Sequence, residues 1–167
     1  MELTTDIILK GTTWDKAINS FSSIFKTRTQ YSMYMVCVSI GIMYDKRIDT
    51  SLISDEDIQH SIARNVIRNN ENGLLEYFFQ AAIMTTKTET LTEKDRLELA
   101  FGEGNNFKKI DFLTQFANFG VTKLIELIGD TSRESMEQIK NFIYATIENQ
   151  NIDIDELPDD ILLEGNE

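Results

Sequence analysis

One cysteine, one histidine and one proline occur among 167 residues. A lone cysteine excludes an intramolecular disulfide framework and suits a reducing compartment, so a cytoplasmic location is expected. One histidine and one cysteine cannot furnish the three or four ligands of a protein zinc site, and neither metal nor cofactor is expected. A single proline and eight glycines are too few for a loop-rich β-sandwich or a disordered chain. Positive charge is also short, with 16 Lys and Arg against 28 Asp and Glu, net −12. A field of that sign repels a polyanion at long range. No apolar run is long: the most apolar stretch, residues 31–44, covers 14 positions, whereas a bilayer-crossing helix needs about 20. The start of the chain holds Glu2 and Asp6 where a secretion signal needs a basic segment. Neither a signal peptide nor a membrane span is therefore expected.

Catalytic signatures are missing too. A Cys or Ser nucleophile needs a base within hydrogen-bond reach, but His60 is the sole histidine and Cys37 lies inside the apolar run. No Gly-x-Ser-x-Gly elbow occurs. Gly102 and Gly104 form a lone Gly-x-Gly with no following Gly-Lys-Ser/Thr, better read as a helix end and a turn. Asp55, Glu56 and Asp57 near His60 read as a helix start whose acids complement the dipole rather than as a cation site. The chain is expected not to be an enzyme.

What is present is helical period. Trp14, Ile18, Phe21 and Phe25 recur at i, i+4, i+7 and i+11, one stripe of an amphipathic helix over 12–25 that Thr12 or Thr13 can cap. Residues 29–41 are apolar on nearly every side, which predicts a helix at the centre of the domain, ended or closely packed at Gly41. A third helix is expected from Ser54, with Ile58, Ile62 and Val66 inward. A fourth covers 74–84, again apolar on most sides, after the turn signal Asn-Asn-Glu-Asn-Gly at 69–73. Thr92 with Asp95 opens a short helix that Gly102 closes. Residues 107–117 and 121–128 read as two short helices separated by Asn118-Phe119-Gly120. The last helix covers 132–148, with Met136, Ile139, Ile143 and Ile147 on one face. No strand pair with turn chemistry is visible. The expected fold is all-α: a compact bundle of six to eight helices over 1–149 in which Trp14, Phe21, Met35, Val36, Val38, Ile40, Phe78, Phe79, Phe116 and Leu124 are largely buried.

Residues 150–167 differ. They hold seven carboxylates and no Lys or Arg, an acidic tail expected to be mobile. Its Ile154, Leu157, Ile161 and Leu162 are spaced among the acids and make a candidate motif for binding a partner. Lys26, Arg28, Lys46 and Arg47 flank the central apolar helix and are the candidate nucleic-acid contact.

Two blocks carry a resemblance. Phe25-Lys26-Thr27 precedes the apolar segment from Met33 to Gly41, which leads into Lys46-Arg47. Later, Phe112-Leu113-Thr114-Gln115-Phe116-Ala117-Asn118-Phe119-Gly120-Val121 is followed by Leu124 and Leu127. This pattern resembles the small accessory proteins encoded beside bacterial DNA-phosphorothioation systems and related phage-defence islands. Ser39 departs from the small apolar residue favoured there, and Gln115-Phe116 stands in place of Glu-Tyr. The resemblance implies a cytosolic bacterial accessory subunit serving a larger defence protein, an ATPase or nuclease, and supplies no catalytic residues. A non-catalytic interaction subunit is thus the first expectation. The alternatives are a DNA-contacting subunit using the basic edge, and an acidic DNA mimic, which would need its carboxylates on one rigid face.

Overall fold

A computed structural model of the chain describes residues 5–25, 29–53, 57–70, 73–87, 90–102 and 107–149. The chain divides into two units, Met1–Ile128 and Gly129–Glu167. The first holds a strand β1 (Ile7–Lys10), helices α1 (Thr12–Ser20) and α2 (Thr29–Met43), a strand β2 (Gln59–Ile62), and helices α3 (Arg64–Asn70), α4 (Leu74–Thr85), α5 (Glu93–Phe101) and α6 (Lys109–Leu124). Short 3-10 turns occupy Thr50–Leu52 and Ile125–Leu127. The second unit holds α7 (Ser132–Asn149). The fold is all-α, with seven α-helices and one small sheet among the described residues.

The first unit is organised around α2 and α6, which share its most extensive helix packing. The all-round apolar character of α2 leads to its burial: Tyr31, Met33, Tyr34, Met35, Cys37, Val38 and Ile40 are inaccessible to solvent or nearly so. The two helices touch backbone to backbone. A Cβ on Gly41 would overlap the carbonyl of Phe116, and one on Gly120 would overlap the carbonyl of Cys37. Around that contact Phe112 meets Phe116 edge to face at 5.1 Å and Phe79 at 5.8 Å. Such pairs contribute about 0.5–1.5 kcal/mol beyond their burial.

This packing corrects the expected break at 118–120, for α6 runs unbroken through it. Asn118 and Gly120 are there for tertiary reasons. Gly120 lets Cys37 approach, and the buried amide of Asn118 ties three segments together. Its Oδ1 accepts from Trp14 Nε1 at 2.9 Å. Its Nδ2 donates to the Ile48 carbonyl at 3.2 Å and to Thr50 Oγ1 at 3.3 Å. Turn-forming residues inside a helix are tolerated where a network satisfies them, and losing one partner would cost about 1–3 kcal/mol.

Further expectations fail in the first unit. The helix expected from Ser54 is instead strand β2 followed by α3. Ile62 is buried as foreseen, but Ile58 is exposed, Val66 is half-buried and Ile67 takes the inward place. β2 pairs antiparallel with β1, Ile7 opposite Ile62 and Leu9 opposite His60. Alternation buries Ile7 and Leu9 and exposes Ile8, the two-residue period of a strand with one covered face. The partners lie some fifty residues apart, so no hairpin signal announces them. Neither threonine caps α1: Gly11 holds the N-cap position with no side-chain hydrogen bond. The helix also ends at Ser20, short of Phe25, while Trp14 and Phe21 are buried.

Other boundaries follow local chemistry. Thr92 Oγ1 accepts from the Asp95 N–H, and Gly102 closes α5. In the second unit, Thr131 Oγ1 accepts from the Glu134 N–H and the Glu134 carboxylate accepts from the Asp130 N–H. These bonds satisfy donors at the start of α7.

Candidate partner-binding surface

Helix α4 is apolar on two opposite sides. One side meets the core through Leu75, Phe79, Ala82 and Ile83. The other carries Leu74, Tyr77, Ala81 and Met84, spaced i, i+3, i+7 and i+10, and all four are exposed. That spacing sets them on one stripe. Tyr77 is 68% exposed, Met84 41% and Leu74 40%. On the adjacent α5, Leu97 and Phe101 are exposed one turn apart. Covering a large apolar side chain is worth roughly 1.5–3 kcal/mol, so this face has substantial free energy to release on contact. Aromatic and Met side chains are the types enriched where interfaces concentrate their energy.

The stripe sits on a firm support. Arg96 of α5 donates through Nη1 to the carbonyls of Ile83 (2.7 Å) and Thr86 (2.6 Å), filling acceptors left open at the end of α4. Lys109 at the start of α6 pairs with Glu76 at 2.7 Å, and its ammonium lies 4.7 Å from the centre of the Phe79 ring. Partial burial acts to raise the Glu76 carboxyl, and the hydrogen bond and charge of Lys109 act to lower it. The net shift is downward.

The residues singled out in the sequence fare differently. Arg47 stacks its guanidinium over Phe112 and Phe116, at 5.0 and 5.6 Å from the ring centres, and Lys46 lies 5.7 Å from the centre of Phe119. These cations rest on the aromatic rings of α6, a packing role in itself. Lys26 and Arg28 lie outside the described residues, as do Ile154, Leu157, Ile161 and Leu162. Of the candidate basic edge, only Lys46 and Arg47 lie among the described residues.

Groups with chemical potential are engaged in the fold. His60 Nε2 lies 2.9 Å from Asp15 Oδ1. Burial pushes the Cys37 thiol far up, which leaves it a poor nucleophile. An open cleft of about 420 Å³ brings Asp6, Asp49 and Asp111 to its walls. Asp6 accepts from Ser61 Oγ and the Arg64 N–H. Two hydrogen bonds from Ser51, through its hydroxyl and its N–H, hold the Asp49 carboxyl below the usual range. A smaller cleft of about 200 Å³ opens at the amino end of α1, beside Lys10, Thr12, Thr13 and Trp14. Among the described residues no group of three His, Cys, Asp or Glu side chains could hold a metal ion. No helix among them is long and apolar enough to cross a membrane.

The outer face of α4 was missed in the sequence because both of its sides read as core. Four apolar residues at i, i+3, i+7 and i+10 opposite an equally apolar side were the available signal. No family model, curated protein or solved structure matches the chain.

Proposed function

We propose that this protein is a non-catalytic interaction subunit that binds a larger protein through the outer face of α4, in the bacterial cytoplasm. The observation that carries the reading is the exposed stripe of Leu74, Tyr77, Ala81 and Met84 on a helix whose other side is fully packed. The pairing of Asn118 with Trp14 and of Glu76 with Lys109 keeps that support rigid, and a preorganised surface loses less entropy on binding. The resemblance of the Phe25–Gly41 and Phe112–Val121 blocks to accessory proteins of phage-defence islands supports an ATPase or nuclease of such a system as the partner.

Co-expression with the products of neighbouring genes, followed by size-exclusion chromatography, tests this. The expected result is a stoichiometric complex that Tyr77→Ser/Met84→Ser disrupts. A chain that hydrolyses nucleotide or cleaves DNA by itself, with turnover lost on a point substitution, would contradict the reading. So would a complex indifferent to the α4 variant.

A further inference from the structure

The exposed residues of α4 follow a stricter spacing than most amphipathic helices. Leu74, Tyr77, Ala81 and Met84 are separated by three, four and three positions, the alternation of a coiled-coil seam. Such a seam is covered by another helix, with knobs set into holes. The positions bordering a seam select partners by charge. Here they are Gly73, Gln80 and Lys87 along one edge and Phe78 and Thr85 along the other. Only Lys87 is charged, and it lies beyond the last turn of α4. Glu76, the one charged residue within the helix, pairs with Lys109 at 2.7 Å. The exposed Thr85 hydroxyl donates to the Ala81 carbonyl at 2.8 Å, so covering it leaves no donor unpaired.

Residue size decides the occupant. Two copies of α4 laid antiparallel about a two-fold axis level with Phe79 set position 74 against 84 and position 77 against 81. Leu74 then meets Met84, of similar volume, and the bulky Tyr77 covers the notch left by Ala81 in the other copy. Symmetry repeats both layers. Parallel pairing would set Tyr77 against Tyr77 and Ala81 against Ala81, crowding one layer and emptying another. A seam without charge also meets its own copy without repulsion. It offers nothing to select a strongly charged peptide, and one bordering cation is too little to hold nucleic acid or an anionic lipid surface.

We propose that, when no larger partner is bound, the outer face of α4 closes on a second copy of this chain as an antiparallel helix pair. Dimer and partner complex then exclude each other. This rests on the reading of the face as a binding surface and names its occupant in the free protein. With Leu74, Tyr77 and Met84 exposed as they are, the seam offers on the order of 400 Å² per copy, about half of one side of a standard stable interface. The dimer is therefore weak, with a dissociation constant of about 10–100 μM. Below that range the chain is a monomer, and a contact of this strength exchanges readily for a larger one.

Sedimentation velocity of the full chain alone, over a concentration series, tests this. A reversible monomer–dimer equilibrium that raised salt does not weaken is expected, because no charged pair crosses the seam. Ala81→Tyr fills the notch and Tyr77→Ala removes the knob, and each should weaken dimerisation about 10-fold or more. Tyr77→Ala/Ala81→Tyr exchanges knob and notch and should restore most of the affinity. Both positions are exposed, and an unchanged circular-dichroism spectrum checks that α4 survives. Leu74→Cys mixed with Met84→Cys should be joined by a short bismaleimide as the mixed pair, the buried Cys37 not competing. A chain that stays monomeric up to about 1 mM would overturn the proposal. So would association that Ala81→Tyr tightens, an exchange variant no better than its parents, or a cross-link formed by Leu74→Cys alone. No larger protein is present in these measurements, so a monomeric result leaves the partner-binding reading standing. A specific dimer with no partner complex would leave the dimer standing and that reading overturned.

Discussion

Helices α2 and α4 look alike in sequence and end differently in the fold. Both are apolar around most of their circumference, and both read as core. α2 is covered on nearly every side because α6 approaches to backbone contact at Gly41 and Gly120, with α3 and α4 against it as well. α4 has a core on one side only, and Tyr77 and Met84 stand in solvent on the other. All-round apolarity therefore marks a helix that needs covering. It does not say whether the cover comes from its own chain.

Substitutions that break the contrast should have graded effects. The largest belongs to Gly120→Val, which forces a side chain into the Cys37 carbonyl. A cost of about 3 kcal/mol or more is expected, read as loss of the cooperative urea transition or a much lower midpoint. Phe79→Ala removes the fully buried ring on the inner side of α4, and about 3–5 kcal/mol should be lost in the same measurement. The neighbouring Phe78 is only half-buried, so Phe78→Ala should cost less. Trp14→Phe keeps an aromatic side chain of smaller volume and deletes the donor to Asn118 Oδ1. A loss of about 1–3 kcal/mol is expected, with faster hydrogen exchange in the middle of α6. Thr92→Ala removes the cap of α5 and should cost about 1 kcal/mol, with the midpoint shifting but not the slope.

Much of the architecture was legible because it rests on local signals. The limits of α4, α5 and α7 and the burial of Trp14, Phe21, Val38, Ile40, Phe79, Phe116 and Leu124 follow from period and capping. The sheet was not legible, since β1 and β2 lack a shared turn and each has only four residues. The continuity of α6 was hidden for a related reason: Asn118 and Gly120 serve contacts with Trp14 and Cys37, which are distant in sequence. As for function, sequence period could locate an apolar stripe but not its exposure. Tyr77 and Met84 become a candidate surface only once the inner side of α4 is seen to be filled by Leu75, Phe79, Ala82 and Ile83.

The claim that the outer face of α4 serves binding rather than folding is tested most directly by urea unfolding of Leu74→Ser/Tyr77→Ser/Met84→Ser beside the wild-type chain. Because these positions are exposed, each substitution should change stability by no more than about 0.5 kcal/mol, with the slope unaltered. A loss as large as that of Phe79→Ala would contradict the account, for it would make the outer face part of the chain's own core.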